Sequence, residues 1–486
     1  MSEAAVGPTA VHGVAAKTVR GAFALGIRQV FIQGIGFLCG IILARLLTPS
    51  QFGIYAIVLY FQNFLISFGD AGLAASLVRQ HDDPGVAEYR AIFTVQQIVV
   101  LIVSVLLWLA APLIASKYHL QSNDAWLFRL VGLSFVVTSF ITVPFVRLDR
   151  RLAFHKIAVV ESTQALAFNV VAVFFAWRGY GAYAFAWALL LRSCVGAALA
   201  NWISPWPIGW HWNWQLVRAH LSFGIPYQGI AITSLLKDSI SPIFIGLLLG
   251  TAKVGYISWA IMLAAYPAQV LFILQRLYMP AFARLQNDRL RLSSLVENIM
   301  WATNAIAAPL SVLTLAMVVP ITTVVYGPKW LVALPFFYLF WGANLFVPSA
   351  TPALGLLNAL GKSRIALLFA AIWMAATWLI GAPLILLYGA IGFAIGNLAV
   401  MFSALWLYRA AQRQVPFRLY SVIAPVWAIA AASGIVVYIL CRLRAPSHIV
   451  TIGAYGTCGL LLYGLGIYRF HTKRIHAVWS ALKGAA

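Results

Sequence analysis

RGAFALGIRQVFIQGIGFLCGIILARLLTPSQFGIYAIVLYFQNFLISFGDAGLAASLVRQ, residues Arg20 to Gln80, holds two apolar runs, each long enough to cross a bilayer, joined by a Thr48-Pro49 turn. Arg28 and Asp70 stand inside these runs. An ionised side chain at membrane depth is costly unless it faces protein or water, so both are functional candidates from the outset.

The rest of the chain continues the pattern. Of its 486 residues 63% are hydrophobic and 9% charged, with a mean hydropathy of +0.90, which excludes an ordinary soluble globular protein. Met1 to Lys17 show no basic segment followed by a short apolar stretch and a cleavage site, so no secretory signal is expected and the first run is expected to stay as an anchor. The net charge of +22 raises nucleic acid as a partner, but the basic residues stand at the ends of apolar runs and not along one soluble face, so none is expected. Cys39, Cys194, Cys441 and Cys458 have neither metal-ligand nor disulfide-framework spacing, and no histidine pair forms a ligand motif; no metal or cofactor is expected.

Apolar runs of about 20 residues predict an all-α polytopic membrane protein with about fourteen transmembrane helices. The expected organisation is a cytoplasmic tail over 1–20, a six-helix lobe over 21–204, a Trp-rich interfacial linker over 205–220, a second six-helix lobe over 221–410, two further helices within 421–468 and a basic tail over 469–486. With the N-terminus inside, about 23 Lys and Arg fall on the cytoplasmic side and about 8 on the other, so both termini are expected to be cytoplasmic. The linker NWISPWPIGWHWNWQ, Asn201 to Gln215, is rich in indole, which prefers the headgroup level; it is expected to lie along the interface. A gapless internal match supports two pseudo-symmetric halves. LLTPSQFGIYAIVLYF (Leu46 to Phe61) aligns with LLGTAKVGYISWAIML (Leu248 to Leu263), pairing Leu46, Leu47 and Gly53 with Leu248, Leu249 and Gly255, and each copy joins the first and second runs of its half.

The ionisable residues at membrane depth are Arg28, Asp70, Glu161, Arg192, Lys237 and Asp238, with Arg45 and Glu297 nearer run ends. Arg28 either snorkels to the cytoplasmic headgroups or joins the polar, small-residue stripe of Gln29, Gln33, Gly36 and Gly40. Lys237 and Asp238 lie near the middle of their run; they either neutralise one another with no substrate role or, since adjacent helical side chains diverge by about 100°, take separate partners, which is the expectation. Arg192 has no acid one turn away, leaving a cavity, a distant acid or a lipid phosphate to receive it. Asp70 either hinges the Gly69/Gly72 break or acts in transport, and Glu161 is close enough to its run end to pair with Arg150, Arg151 or Lys156. There is no Walker-type phosphate loop, and no large extramembrane segment suggests a catalytic triad.

GIRQVFIQ, LARLLTPSQFGIYA, FGDAGLAASLVRQ and KDSISPIFIGLLLGTAKVGYISWA resemble the bacterial polysaccharide flippases of the multidrug/oligosaccharidyl-lipid/polysaccharide superfamily. The resemblance implies two bundles around a central cavity that opens alternately to the two faces of the inner membrane and moves a polyprenyl-diphosphate-linked oligosaccharide outward. A cationic interior suits a diphosphate, because Arg grips phosphate oxygens bidentately while Lys acts as a point charge. Arg28, Arg192 and Lys237 are therefore expected to hold the diphosphate, Asp70 and Asp238 to gate or couple, and Arg45, Glu161, Gln29 and Gln33 to be secondary contacts. Membrane lipids, a monovalent cation or proton, and polysaccharide polymerase machinery are the further expected partners. The competing classes are a drug/cation antiporter of the same superfamily, which calls for a mainly acidic site, and a membrane polymerase or glycosyltransferase, an enzyme that calls for a sizeable outer loop.

Overall fold

The computed structural model describes residues 29, 31–70, 72–80, 82–269 and 271–485, and within them every regular element is helical. Twelve helices are long and apolar enough to cross a membrane, and Phe31–Leu46 is a shorter apolar helix. The chain is a multi-pass membrane protein. Of the expected fourteen runs, the first begins outside the described residues, and the one over 254–275 is shared between two consecutive helices. The chain divides into two compact units, Met1–Ala252 and Lys253–Ala486.

The first unit contains α1 (Phe31–Leu46), α2 (Pro49–Asp70), α3 (Leu73–Arg79), α4 (Val86–Lys117), α5 (Ala125–Ser139), α6 (Thr142–Arg150), α7 (Phe154–Trp177), α8 (Tyr183–Ile203) and α9 (Trp214–Asp238), then a π-helical turn (Ile240–Ile245) and α10 (Gly246–Leu249). Pro49 suits the first position of α2, where its missing N–H is not needed. Gly72, at φ 71°, separates α2 from α3 in the left-handed region, where a Cβ is strained. Leu101, Ile102, Val105, Leu106, Leu109 and Leu113 leave one side of α4 exposed. A contiguous apolar band of this kind faces lipid. Inward faces use small residues and stacked rings: Ala184 and Ala188 are fully buried on α8, and Tyr55 stacks on Phe185 with centroids 3.6 Å apart.

One end of this unit carries Arg90, Arg147 and Arg150. Arg150 donates to the carbonyls of Leu77 (2.8 Å) and Gln80 (2.7 Å), satisfying the C-terminus of α3, and bridges to Asp83 at 3.1 Å. The Trp-rich linker is tied to the same end: Arg147 donates to the Pro205 carbonyl, Arg90 to that of Pro207 (2.9 Å), and the His211 amide to Thr94 Oγ1 (2.9 Å). Trp206 packs edge-on to Phe93 at 5.2 Å, whereas Trp202, Trp210, Trp212 and Trp214 are exposed. Asn213 Oδ1 caps α9 by accepting from the amides of Gln215 and Leu216. From there α9 packs along α2, α3 and α4.

The second unit takes in most of α11 (Thr251–Gln269), followed by α12 (Leu271–Arg284), α13 (Arg289–Ala316), α14 (Val318–Pro320), α15 (Leu334–Asn344), α16 (Val347–Ala359), α17 (Ser363–Tyr388), α18 (Ala390–Met401), α19 (Ala404–Gln414), α20 (Leu419–Leu443) and α21 (Ile449–Ala485). A core cluster in it centres on Phe282, Leu292, Met300, Leu356 and Leu407. The last two helices pack on α13. Trp427 Nε1 donates to Asn304 Oδ1 (2.9 Å), Tyr463 Oη to the Ala305 carbonyl (2.9 Å), and Val422, Val426 and Ala430 close on Trp301 and Ala308.

Candidate functional site: a cavity inside the first unit

Helices α2 to α8 line a cavity of about 770 Å3. Its residues recur at helical spacing. On α2 the lining positions are Leu59, Gln62, Asn63, Ile66 and Gly69; on α5 and α6 they are Phe135, Thr138, Ser139, Thr142, Phe145 and Asp149. The second set forms one stripe that continues past the break between the two helices. Gln96, Gln164 and Arg192 add one long polar side chain each from α4, α7 and α8, and Arg79 stands at the end of α3.

Hydroxyl groups in this cavity bond mainly to protein. Thr138 Oγ1 and Ser193 Oγ are 2.7 Å apart, Ser139 Oγ accepts from Gln97 Nε2 (2.7 Å), and Thr142 Oγ1 accepts from Gln96 Nε2 (2.8 Å). Ser134 Oγ donates to Gln62 Oε1 at 3.0 Å. These bonds join α4 to α5 and α6, α5 to α8 and α2 to α5, fixing the helices around the space they line. Arg192 is different. It is accessible from the cavity, and among the described residues it has no hydrogen bond or ion pair. A guanidinium held among apolar helices without a counter-ion is a ready receptor for an anion. Asp149, half-buried on the same wall, likewise has no ion pair among the described residues.

Of the residues singled out from sequence, Arg192 alone among the described ones lines this cavity. Arg28 lies outside the described residues. Asp70 is the last residue of α2, and its side chain is outside the described structure. Gln29 and Gln33 are half-buried near the start of α1, Arg45 is exposed near its end, and Glu161 is half-buried on α7. Lys237 and Asp238 correct an expectation: they do not have separate partners but bridge one another, Nζ to Oδ1, at 3.1 Å. The reason is stem length. Four flexible methylenes let the ammonium swing back over the angle between adjacent positions, and both side chains are accessible at the junction of α9 with the π-helical turn.

Arg79, Asp149 and the three glutamines Gln62, Gln96 and Gln164 were not anticipated as one group. The available signal was the polar stripe at three- and four-residue spacing through α5 and α6. A second buried cluster also escaped sequence reasoning: Ser76 Oγ lies 2.9 Å from His220 Nδ1, and His220 Nε2 lies 2.8 Å from Glu88 Oε1. The order is that of a hydrolytic triad, but Ser76 is buried and its hydroxyl donates to the Leu73 carbonyl at 2.7 Å. It is a clasp between α3, α4 and α9.

Residues 42–335 match the family described as polysaccharide biosynthesis protein. The chain belongs to that family. Among relatives, this family member is 27% identical over 304 residues to the succinoglycan biosynthesis transport protein ExoT of Rhizobium meliloti, covering 62% of this chain and 61% of ExoT. The match therefore spans about three fifths of that relative's length. It is 25% identical over 356 residues to the lipopolysaccharide biosynthesis protein WzxC of Escherichia coli, covering 73% and 72% of the two chains. Among solved structures, the lipid II flippase MurJ in an inward closed conformation superposes with a TM-score of 0.74 at 13% identity, over 94% of this chain and all of MurJ. A MOP superfamily transporter from Pyrococcus furiosus gives 0.52 at 14% identity, over 81% and 96%. Identities this low establish a shared fold alone.

Proposed function

We propose that this polysaccharide biosynthesis family member is a flippase, not an enzyme, that carries a polyprenyl-diphosphate-linked oligosaccharide from the cytoplasmic to the outer leaflet of a bacterial inner membrane. In this reading some fourteen spans form two six-helix bundles plus two C-terminal helices, with both termini cytoplasmic, and transport proceeds by alternating access. The observation that carries it is Arg192, an arginine with no counter-ion among the described residues on the wall of a cavity lined by seven helices. The transport roles printed in the names of ExoT and MurJ support the same reading.

Arg192 receives the diphosphate, with Arg28 and Lys237 completing the basic set; Asp70 and Asp238 gate or couple transport. The Lys237–Asp238 bridge supports a resting pair in which the lysine charge is held until an anion competes for it. The purified protein in liposomes, supplied with a labelled polyprenyl-diphosphate oligosaccharide, is expected to make label accessible on the opposite leaflet. Replacing Arg28, Arg192 and Lys237 together by Ala is expected to abolish this movement in a folded protein. Full transport by that triple variant would refute the assignment.

A further inference from the structure

We propose that the cavity in the first unit holds sugar as well as phosphate: Gln62, Gln96 and Gln164 form a glycan subsite that takes neutral, hydroxyl-rich rings of the transported headgroup. The proposal rests on the flippase reading and assigns a second job to the same cavity.

The three glutamines are 5%, 3% and 8% exposed, on three different helices, and all line the cavity. Buried amides are ordinarily satisfied at both ends. Here each keeps capacity to spare. Gln62 uses its Oε1 to accept from Ser134, and its amide NH2 has no partner among the described residues. Gln96 spends a donor on Thr142, and its buried Oε1 has none. Gln164 bonds to no described residue through either end. The neighbouring hydroxyls of Thr138, Ser139, Thr142 and Ser193 are, by contrast, engaged with protein.

The chemistry of the vacant groups selects the ligand. Both donors and acceptors are free, so the complement must offer both, as a sugar hydroxyl does. A phosphate offers acceptors alone and would set its oxygens against the amide carbonyl of Gln164; it belongs with Arg192. An apolar tail would leave all three amides unpaired and dry. At about 770 Å3 the space falls in the range of about 300–1,000 Å3 usual for small-ligand sites, enough for a short glycan segment and not for a polyprenyl chain as well. A site built to hydrogen-bond a hydroxyl also rejects ligands that lack it, which makes these residues determinants of specificity.

The test compares two probes on the purified full-length protein in detergent: polyprenyl diphosphate with no sugar, and the lipid-linked oligosaccharide extracted from the host bacterium. Wild type is expected to bind the glycosylated probe at least tenfold more tightly. The Gln62→Met, Gln96→Met, Gln164→Met triple variant is expected to lose that margin while binding the bare diphosphate within twofold of wild type. Gln164→Met alone breaks no bond within the described protein, so it serves if the triple variant does not fold, with an expected loss of about 2- to 10-fold for the glycosylated probe. Equal binding of both probes by wild type, unchanged binding by the variants, or equal weakening of both probes overturns the subsite and leaves the flippase reading standing. Failure of wild type to bind either probe would instead overturn the flippase reading, and the subsite with it.

Discussion

At the residue scale, the candidate site combines Arg192 and Asp149, neither with an ion pair among the described residues, with several neutral groups whose partners there are incomplete. Replacing Arg192 by Ala removes no bond to a described residue, so thermal stability in detergent should change little while flipping falls steeply. Arg192→Lys keeps the charge but loses the bidentate fork, and transport is expected to drop about tenfold relative to wild type. A variant that unfolds without losing transport per folded molecule would contradict this division. Gly196 offers a packing test. A Cβ there would come within 1.7 Å of Gln164 Nε2, and the Ile141 side chain leaves no room on the other side. Gly196→Ala is expected to displace the Gln164 amide and cost about 1–3 kcal/mol of stability, measured by thermal unfolding.

At the element scale, α9 belongs with the first unit, to which it is tied at several levels. His220 joins it to Ser76 and Glu88, Gln228 Nε2 donates to the Ser67 carbonyl, and Tyr118 Oη donates to the Pro242 carbonyl in the π-helical turn beyond it. Gly72 and Gly224 meet backbone to backbone: a Cβ on Gly72 would lie 2.3 Å from the Gly224 carbonyl oxygen. Both the positive φ and the rigid neighbour forbid a side chain, so Gly72→Ala should destabilise the packing of α9 more than Gly196→Ala affects the core, because backbone cannot step aside as a glutamine can. His220→Ala leaves the Glu88 carboxylate, among the described residues, with only the Gln80 amide at 3.4 Å and is expected to cost about 1–3 kcal/mol. Faster deuterium exchange confined to α3, α9 and the start of α4 would report that loss. Uniform exchange across the unit would argue against a local clasp.

At the scale of the whole molecule, the charge bias makes a prediction about orientation. Alkaline phosphatase fused at Gly389 is expected to be active and a fluorescent protein fused after Ala486 to fluoresce; the inverse pattern would reverse the proposed topology. Much of this level was legible from residues in order. A run of apolar side chains reports a lipid-crossing helix because solvation by lipid is a local requirement, met segment by segment. The apolar run that became α4 could be read for the same reason, as could the Arg20 to Gln80 stretch that carries the family resemblance. Convergence could not. Gln62, Gln96, Gln164 and Arg192 share one cavity across four helices, Lys237 folds back on Asp238, and α20 and α21 settle on α13 through Trp427 and Tyr463. Each outcome depends on the rotation and tilt of one helix against another, set by small-residue contacts and interhelical hydrogen bonds between residues far apart in the chain. The sequence by itself determined a helical membrane protein of the polysaccharide biosynthesis family, whereas the tertiary structure decided which of its polar residues face the same space.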